Sequence, residues 1–240
     1  MSTLIAVYTT RAGQTSTHWA ACLAWTLAEQ HRVLLVDCDM EGGTLADLLL
    51  LRTEDCSIAN CFGDRPATPL ELEAQAVSHP ERNQLRIVPG LSRSYGYEIV
   101  ECLAKLAGAL AGTRDDVVVA DLGHPLSHPG LRSPRSAAEA ICSVFSRAFV
   151  VIRDDPALLS RSISVLHAAR PPHGELIICN QRSRAYRRII VETLERNVPE
   201  LAIRDVWQWD EARATRMGET GTPTTLVGVI DDLHLAPVLA

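Results

Sequence analysis

The sequence holds little that would export, anchor or cross-link the chain. Its first residues lack a basic region followed by an apolar stretch and a cleavage site, so no secretion is expected. No uninterrupted apolar run reaches membrane-spanning length, and a soluble protein is expected. The 7 cysteines are an odd number without close Cys-x-x-Cys spacing, which excludes a disulfide framework and predicts reduced thiols in a cytoplasmic setting. A net charge of −6 argues against a surface given over to nucleic acid. The tail from Thr224 to Ala240 has neither lysine nor arginine, so it lacks the basic amphipathic helix needed for direct membrane binding.

What is present fits a globular α/β chain. Hydrophobic residues make up 47% and charged residues 22% of 240 residues, enough to bury a large core, and residues 1–240 are expected to form a single domain. The organising stretch runs from Leu4 to Asp39: an apolar strand (Leu4 to Tyr8), a turn with Arg11, Gly13 and a hydroxyl run, a helix from about Thr15 to Glu29, then Val33-Leu34-Leu35-Val36 ending in Asp37-Cys38-Asp39. Such a strand, loop, helix and strand aims backbone N–H groups and a helix dipole at one point, the usual geometry for phosphate. A second apolar strand, Val117 to Ala120, ends in Asp121, a carboxylate suitably placed to orient the waters of Mg²⁺. Taken on residues alone, Thr15 or Ser16 capping a helix and the aspartates capping turns would explain the same pattern.

The order of these elements resembles the ParA/MinD family of P-loop ATPases over nearly the whole chain. The family's deviant Walker A motif is Lys-Gly-Gly-x-Gly-Lys-Thr-Thr; here Arg11, Ala12, Gly13, Gln14, Thr15, Ser16, Thr17 and His18 occupy its successive positions. The resemblance implies a doubly wound, mostly parallel sheet flanked by helices. It places Arg11 at the signature lysine that reaches across a dimer, Ser16 at the phosphate-holding lysine and Thr17 at the Mg²⁺-binding hydroxyl. Only Gly13 and Thr17 match outright. It also implies that Asp37 supports the metal shell, Asp39 positions water, Asp121 holds Mg²⁺, Asn180 reads the adenine edge, and Asp210 belongs to the segment closing over base and sugar. Gly123 stands where the family usually has proline.

The departures have physical consequences. Ser16 donates one neutral hydrogen bond and cannot neutralise phosphate, so affinity and hydrolysis are both expected to fall. Arg11 keeps a cation, but as a planar fork. Thr15 replaces a glycine, and a β-branched residue at positive φ is an outlier. ATP or ADP with Mg²⁺ therefore stands as a conditional cofactor. The expected function is that of a dimerising, positioning or regulatory protein with a degenerate site, serving a pilus or secretion apparatus, a division site or a partition complex through protein contacts. The TadZ/CpaE branch is the closest kind. The alternatives are an active Mg²⁺-dependent ATPase using Arg11, and a DNA-associated partition protein.

The rest is read more coarsely. Leu45 to Leu51 is expected as a short helix, and 52–84 as a loop-and-helix excursion with a helix near Pro69 to Ala76. Tyr97 to Leu110 has helical period, and His124 to Arg135 reads as a partner-contact loop; Pro125 and Pro129 make a metal pair of His124 and His128 implausible. The basic cluster Arg182, Arg184, Arg187, Arg188 and Arg196 is expected on a solvated helix face or protein contact rather than on DNA, with Ile189, Val191 and Leu194 inward. Cys22, Cys38, Cys142 and Cys179 are expected as small core residues, and Trp19 and Trp25 as packing.

Overall fold

A computed structural model describes residues 2–53, 55–92, 98–127, 131, 133–172, 174–180 and 184–226. Its strands are β1 (Thr3–Thr9), β2 (Val33–Asp37), β3 (Val77–His79), β4 (Arg82–Val88), β5 (Val117–Asp121), β6 (Arg147–Arg153), β7 (Gly174–Asn180) and β8 (Ala202–Gln208). They form one 8-stranded sheet in the order β3-β4-β2-β5-β1-β6-β7-β8. All neighbours run parallel except the β3–β4 pair at one edge. Strand β1 thus lies where the chain winds first to one side and later to the other, and the crevice beyond its carboxyl end is where such sheets bind ligands.

Period-2 alternation splits the central strands between two cores. Leu4, Ala6, Tyr8, Leu34 and Val36 point to one face, where α4 (Ile99–Ala111), α5 (Pro134–Val144), α6 (Pro156–Ala169) and α7 (Arg184–Asn197) contribute buried side chains. Ile5, Val7, Val33 and Leu35 point to the other. That second face is covered by α1 (Ser16–Leu27), by Leu45 and Leu49 from the short helix α2 (Leu45–Leu48) and the residue after it, and by α8 (Glu211–Thr220) through Met217. Burial on both faces explains why these strands read as continuous apolar runs.

Helix α1 is buried over most of its circumference. Trp19 is fully buried and meets Phe149 edge-on at 5.1 Å. Trp25 packs against the sheet edge, where the Arg82 guanidinium lies 3.9 Å from its ring and donates to the Trp25 carbonyl at 2.7 Å. Beyond α8 the chain returns across α1: the Gly221 carbonyl meets His79 Nε2 at 3.1 Å, Thr222 Oγ1 donates to Glu81 at 2.7 Å, and the Leu226 amide donates to Thr26 Oγ1 at 2.9 Å.

Helix α3 (Pro69–Ala74) begins with a Thr68–Glu71 capping box. Three elements depart from the sequence expectation. Strand β3 lies within the stretch read as loop and helix; it has only 3 residues, and pairing with β4 rather than an apolar pattern defines it. Helix α5 starts inside the stretch read as a loop to Arg135, with the Ser133 hydroxyl accepting from the Ser136 amide and Pro134 in the first turn. The segment after Leu48 is not helical through Leu51, because Leu50 turns to φ 50°. Cys22, Cys38 and Cys179 are buried, whereas Cys142 is half-buried with its thiol on the Pro172 carbonyl.

Truncating Trp19 to alanine is expected to cost about 3–5 kcal/mol, because the cavity left between α1 and β6 cannot collapse. Urea unfolding followed by far-ultraviolet circular dichroism measures it.

Candidate functional site

The loop joining β1 to α1 turns twice through the left-handed region, at Gly13 (φ 79°) and at Thr15 (φ 66°). Thr15 therefore keeps the backbone course a glycine would take, at a steric cost of about 1–2 kcal/mol. It does not act as a side-chain cap. Its hydroxyl turns to the Gln14 carbonyl, and the first turn of α1 has neither a side-chain cap nor an acidic residue. The amide end of α1 stays open to an anion.

Gln14 holds the loop from below. It is 1% exposed; its Nε2 donates to Thr10 Oγ1 at 2.9 Å and Ser162 Oγ at 3.3 Å, and its Oε1 accepts from the Arg153 amide at 3.1 Å. Thr10 Oγ1 donates in turn to Ser162 Oγ at 2.6 Å. Arg153 Nη1 donates to the Gly13 carbonyl at 3.0 Å. Sequence reasoning missed Thr10, Gln14, Arg153 and Ser162, since nothing in their spacing announces contacts between residues so far apart. Arg11 is half-buried at the start of the loop, Ser16 is buried, and Thr17 is half-buried in the first turn of α1.

Three aspartates gather at the carboxyl ends of β2 and β5. Asp37 and Asp121 are register partners on adjacent strands, and each is 1% exposed. Asp37 Oδ2 accepts from the Leu45 amide at 3.0 Å and Oδ1 from the Asp39 amide at 3.2 Å. Gly43 and Gly90 wall it in, as a side-chain carbon on either would lie within 2.6 Å of its carboxyl group. Burial, then the charge of Asp121, pushes the Asp37 carboxyl well above the usual range. Burial likewise pushes Asp121 up to about 6, against the pull of the Thr17 hydroxyl and the Gly123 amide. Asp121 Oδ2 is buried without a hydrogen-bond partner at normal distance among the described residues.

Asp39 is half-buried and accepts from the Glu41 amide at 3.0 Å. Gly123 takes φ 60°, which proline cannot adopt, and a side-chain carbon there would sit 2.4 Å from the Asp39 carboxyl carbon. The glycine makes room for Asp39. Beside them His124 Nε2 meets Glu41 Oε2 at 3.1 Å, tying the segment after β5 to the one after β2. His128 lies outside the described residues.

On the other side of the loop, a cavity of about 200 Å³ opens between α1, the end of β8 and α8, lined by His18, Cys22, Trp207, Trp209, Asp210 and Arg213. Trp209 meets His18 edge-on at 5.3 Å and Trp207 at 5.6 Å, and burial lowers the His18 pKa. Asp210 caps α8 through the Arg213 amide at 3.1 Å and pairs with the Arg213 side chain at 3.2 Å. Asn180 ends β7 opposite Gln208; its side chain, like residues 181–183, lies outside the described residues. On α7 Leu194 is buried and Val191 packs half-buried against the core as expected, whereas Ile190 is buried in place of Ile189, which is 53% exposed. Arg188 pairs with Glu192 at 3.4 Å.

The oxygen donors of Thr17 and Asp121 suit a hard cation such as Mg²⁺, and the partnerless Asp121 oxygen is consistent with that fit. Asp37 fits it less directly, because both of its oxygens already accept backbone N–H groups.

Replacing Thr15 with glycine is expected to raise stability by about 0.5–1 kcal/mol, since relief of left-handed strain outweighs the added chain entropy; alanine should give no such gain. Thermal unfolding of the two variants distinguishes them. A second expectation concerns pH. The folded chain keeps a proton on Asp121 that the unfolded chain releases near pH 4, so this group's contribution to stability falls as pH rises toward its folded value of about 6. Without divalent ions, Asp121→Asn should reduce that slope, leaving the part due to buried Asp37, and be more stable than the wild type near neutral pH by on the order of 1–3 kcal/mol, as read from urea midpoints across the range.

No family model and no curated protein matches the sequence. Solved structures match its shape. A chain of the MinC:MinD cell division complex from Aquifex aeolicus superposes with a TM-score of 0.70 at 16% identity, covering 92% of this chain and 87% of that one. The ParA family ATPase from Chlorobium tepidum TLS gives 0.70 at 16% identity, covering 92% and 90%. The septum site-determining protein MinD from Pyrococcus horikoshii OT3, complexed with Mg-ADP, gives 0.64 at 18% identity, covering 93% and 87%. The doubly wound sheet described above is thus a fold that this chain shares with these three solved structures.

Proposed function

We propose that this chain is a ParA/MinD-like positioning protein with a degenerate nucleotide site, acting as a cytoplasmic homodimer that organises a larger assembly through protein contacts. The observation that carries this reading is the left-handed Thr15 in front of an uncapped α1. A simple strand-to-helix connection would have no need to retain that strain. Among the branches of the family the TadZ/CpaE kind, with its atypical P-loops, fits best.

The chain's own groups define what the site does. Amides of the loop from Gly13 to Thr17 hold phosphate oxygens, and Ser16 adds a neutral donor. Thr17 and Asp121 hold Mg²⁺, with Asp37 supporting that end of the sheet; the ion, when bound, neutralises phosphate charge. Arg11 supplies a cation at the start of the loop. Asn180, Asp210 and the aromatic cavity beside His18 and Trp209 take the base and sugar, the tryptophan rings offering flat apolar walls. The retained Asp39, with Gly123 making room for it, favours a second reading in which slow ATP hydrolysis persists and Asp39 orients water. DNA binding through α7 is the weakest reading, since Arg188 is paired with Glu192 on that helix.

Titration of ATP with Mg²⁺ into the protein, with mass measured in solution, tests the proposal. Binding with a doubling of mass is expected, Arg11→Ala should weaken it, and Ser16→Lys should tighten it by roughly tenfold or more, as a restored cation near the phosphates would. No heat and no change in mass for either the wild type or Ser16→Lys would refute it. If the second reading holds, phosphate release is measurable and vanishes in Asp39→Ala.

A further inference from the structure

The aromatic cavity beside α1 has a size and a wall chemistry of its own. At about 200 Å³ it lies below the roughly 300–1,000 Å³ of sites that enclose drug-sized molecules, so it suits a single ring system rather than a whole nucleotide. Trp209 stands at 70° to His18 and at 84° to Trp207. None of these rings closes on another as a face-to-face stack, so a planar ring can be added against them. Leu226 and Met217 supply aliphatic walls. The chain beyond α8 shuts one side: the Leu226 amide donates to Thr26 Oγ1 at 2.9 Å, and the Thr224 amide donates to the Cys22 sulfur. The cavity is preformed.

His18 gives this wall a polar handle. Its ring lines the cavity and has no hydrogen-bond partner among the described residues. Burial lowers its pKa, which keeps the ring neutral at neutral pH. A neutral imidazole carries one N–H donor and one acceptor, the pair of functions that the edge of a nucleobase presents in return. His18 also follows Ser16, the first residue of α1, by two positions, roughly 3 Å along the helix axis. A ring beside it is therefore close to the open amide end of that helix.

The loop offers less. It presents backbone amides and the neutral hydroxyls of Ser16 and Thr17, while Arg11 stands at the start of the loop, ahead of both left-handed turns. The arginine at the end of β6 is engaged by the Gly13 carbonyl at 3.0 Å. The single lysine of the chain, Lys105, is committed to the Gly63 carbonyl at 2.5 Å.

We infer that the ligand class of this site is the nucleoside: the aromatic cavity holds the base and carries most of the affinity, and the outer phosphates add little. The inference rests on the nucleotide-binding reading above. It reverses the order of importance in a P-loop whose lysine grips the phosphates.

The test titrates adenosine, ATP with Mg²⁺ and inorganic tripolyphosphate with Mg²⁺ into the wild type, Trp209→Ala, Trp209→Phe and His18→Phe by calorimetry. Adenosine should bind within about tenfold of ATP, and tripolyphosphate roughly tenfold or more below either. Trp209→Ala should weaken adenosine and ATP by the same factor, roughly tenfold, as loss of a base–aromatic stack implies. Trp209→Phe should keep most of the affinity, and His18→Phe, which keeps a ring but removes the donor and acceptor, should weaken adenosine and ATP alike. ATP or tripolyphosphate bound more than about tenfold tighter than adenosine, or unchanged adenosine affinity in Trp209→Ala, overturns the inference and leaves the nucleotide reading intact. Absence of wild-type binding to all three ligands overturns both. Circular dichroism and a melting curve establish that each variant folds, and if Trp209→Ala does not, the wild-type ratio of ATP to adenosine affinity decides alone.

Discussion

The left-handed turn at Thr15 is the constraint on which the site depends. A threonine leaves that conformation unless its surroundings over-determine it. Here they do: Gln14 is bolted to Thr10, Ser162 and the Arg153 amide, and α1 is immobilised by near-complete burial. The loop's course is therefore set by tertiary contacts rather than by glycine at position 15.

The carboxylates show the same division between shape and charge. Asp37 is enclosed by Gly43 and Gly90, bonded through both oxygens to backbone, and buried next to Asp121. Two carboxylates so close and so dry resist ionising together. A cation would relieve that, and a proton does so in its absence. The glycine at 123 has a local reason in the room Asp39 needs.

Much of the architecture was legible because it rests on patterns that fold locally. Continuous apolar strands, the aspartates that end them and the strand-loop-helix unit at the amino end are readable in Leu4 to Asp39 and Val117 to Asp121. The loop anchor was not, because Gln14 meets Arg153 and Ser162 across 139 and 148 residues of chain. Strand β3 is too short to carry an alternation. Helix α5 did carry a signal, Ser133-Pro134, obscured by its basic and proline-rich approach. On α7, Ile189 and Ile190 are adjacent isoleucines, and a period of 3.6 does not decide which one faces inward. Such near-ties are settled by packing against the sheet.

Helix α8 has a wider consequence. Its first residues border the aromatic cavity beside Trp209, while the residue after it, Gly221, is bonded to His79 on the opposite edge strand. The 10-residue helix is about 15 Å long, and Met217 anchors it in the core it shares with α1. A molecule seated against Trp209 would therefore lie one short helix away from the contact that ties Gly221 to the β3 edge.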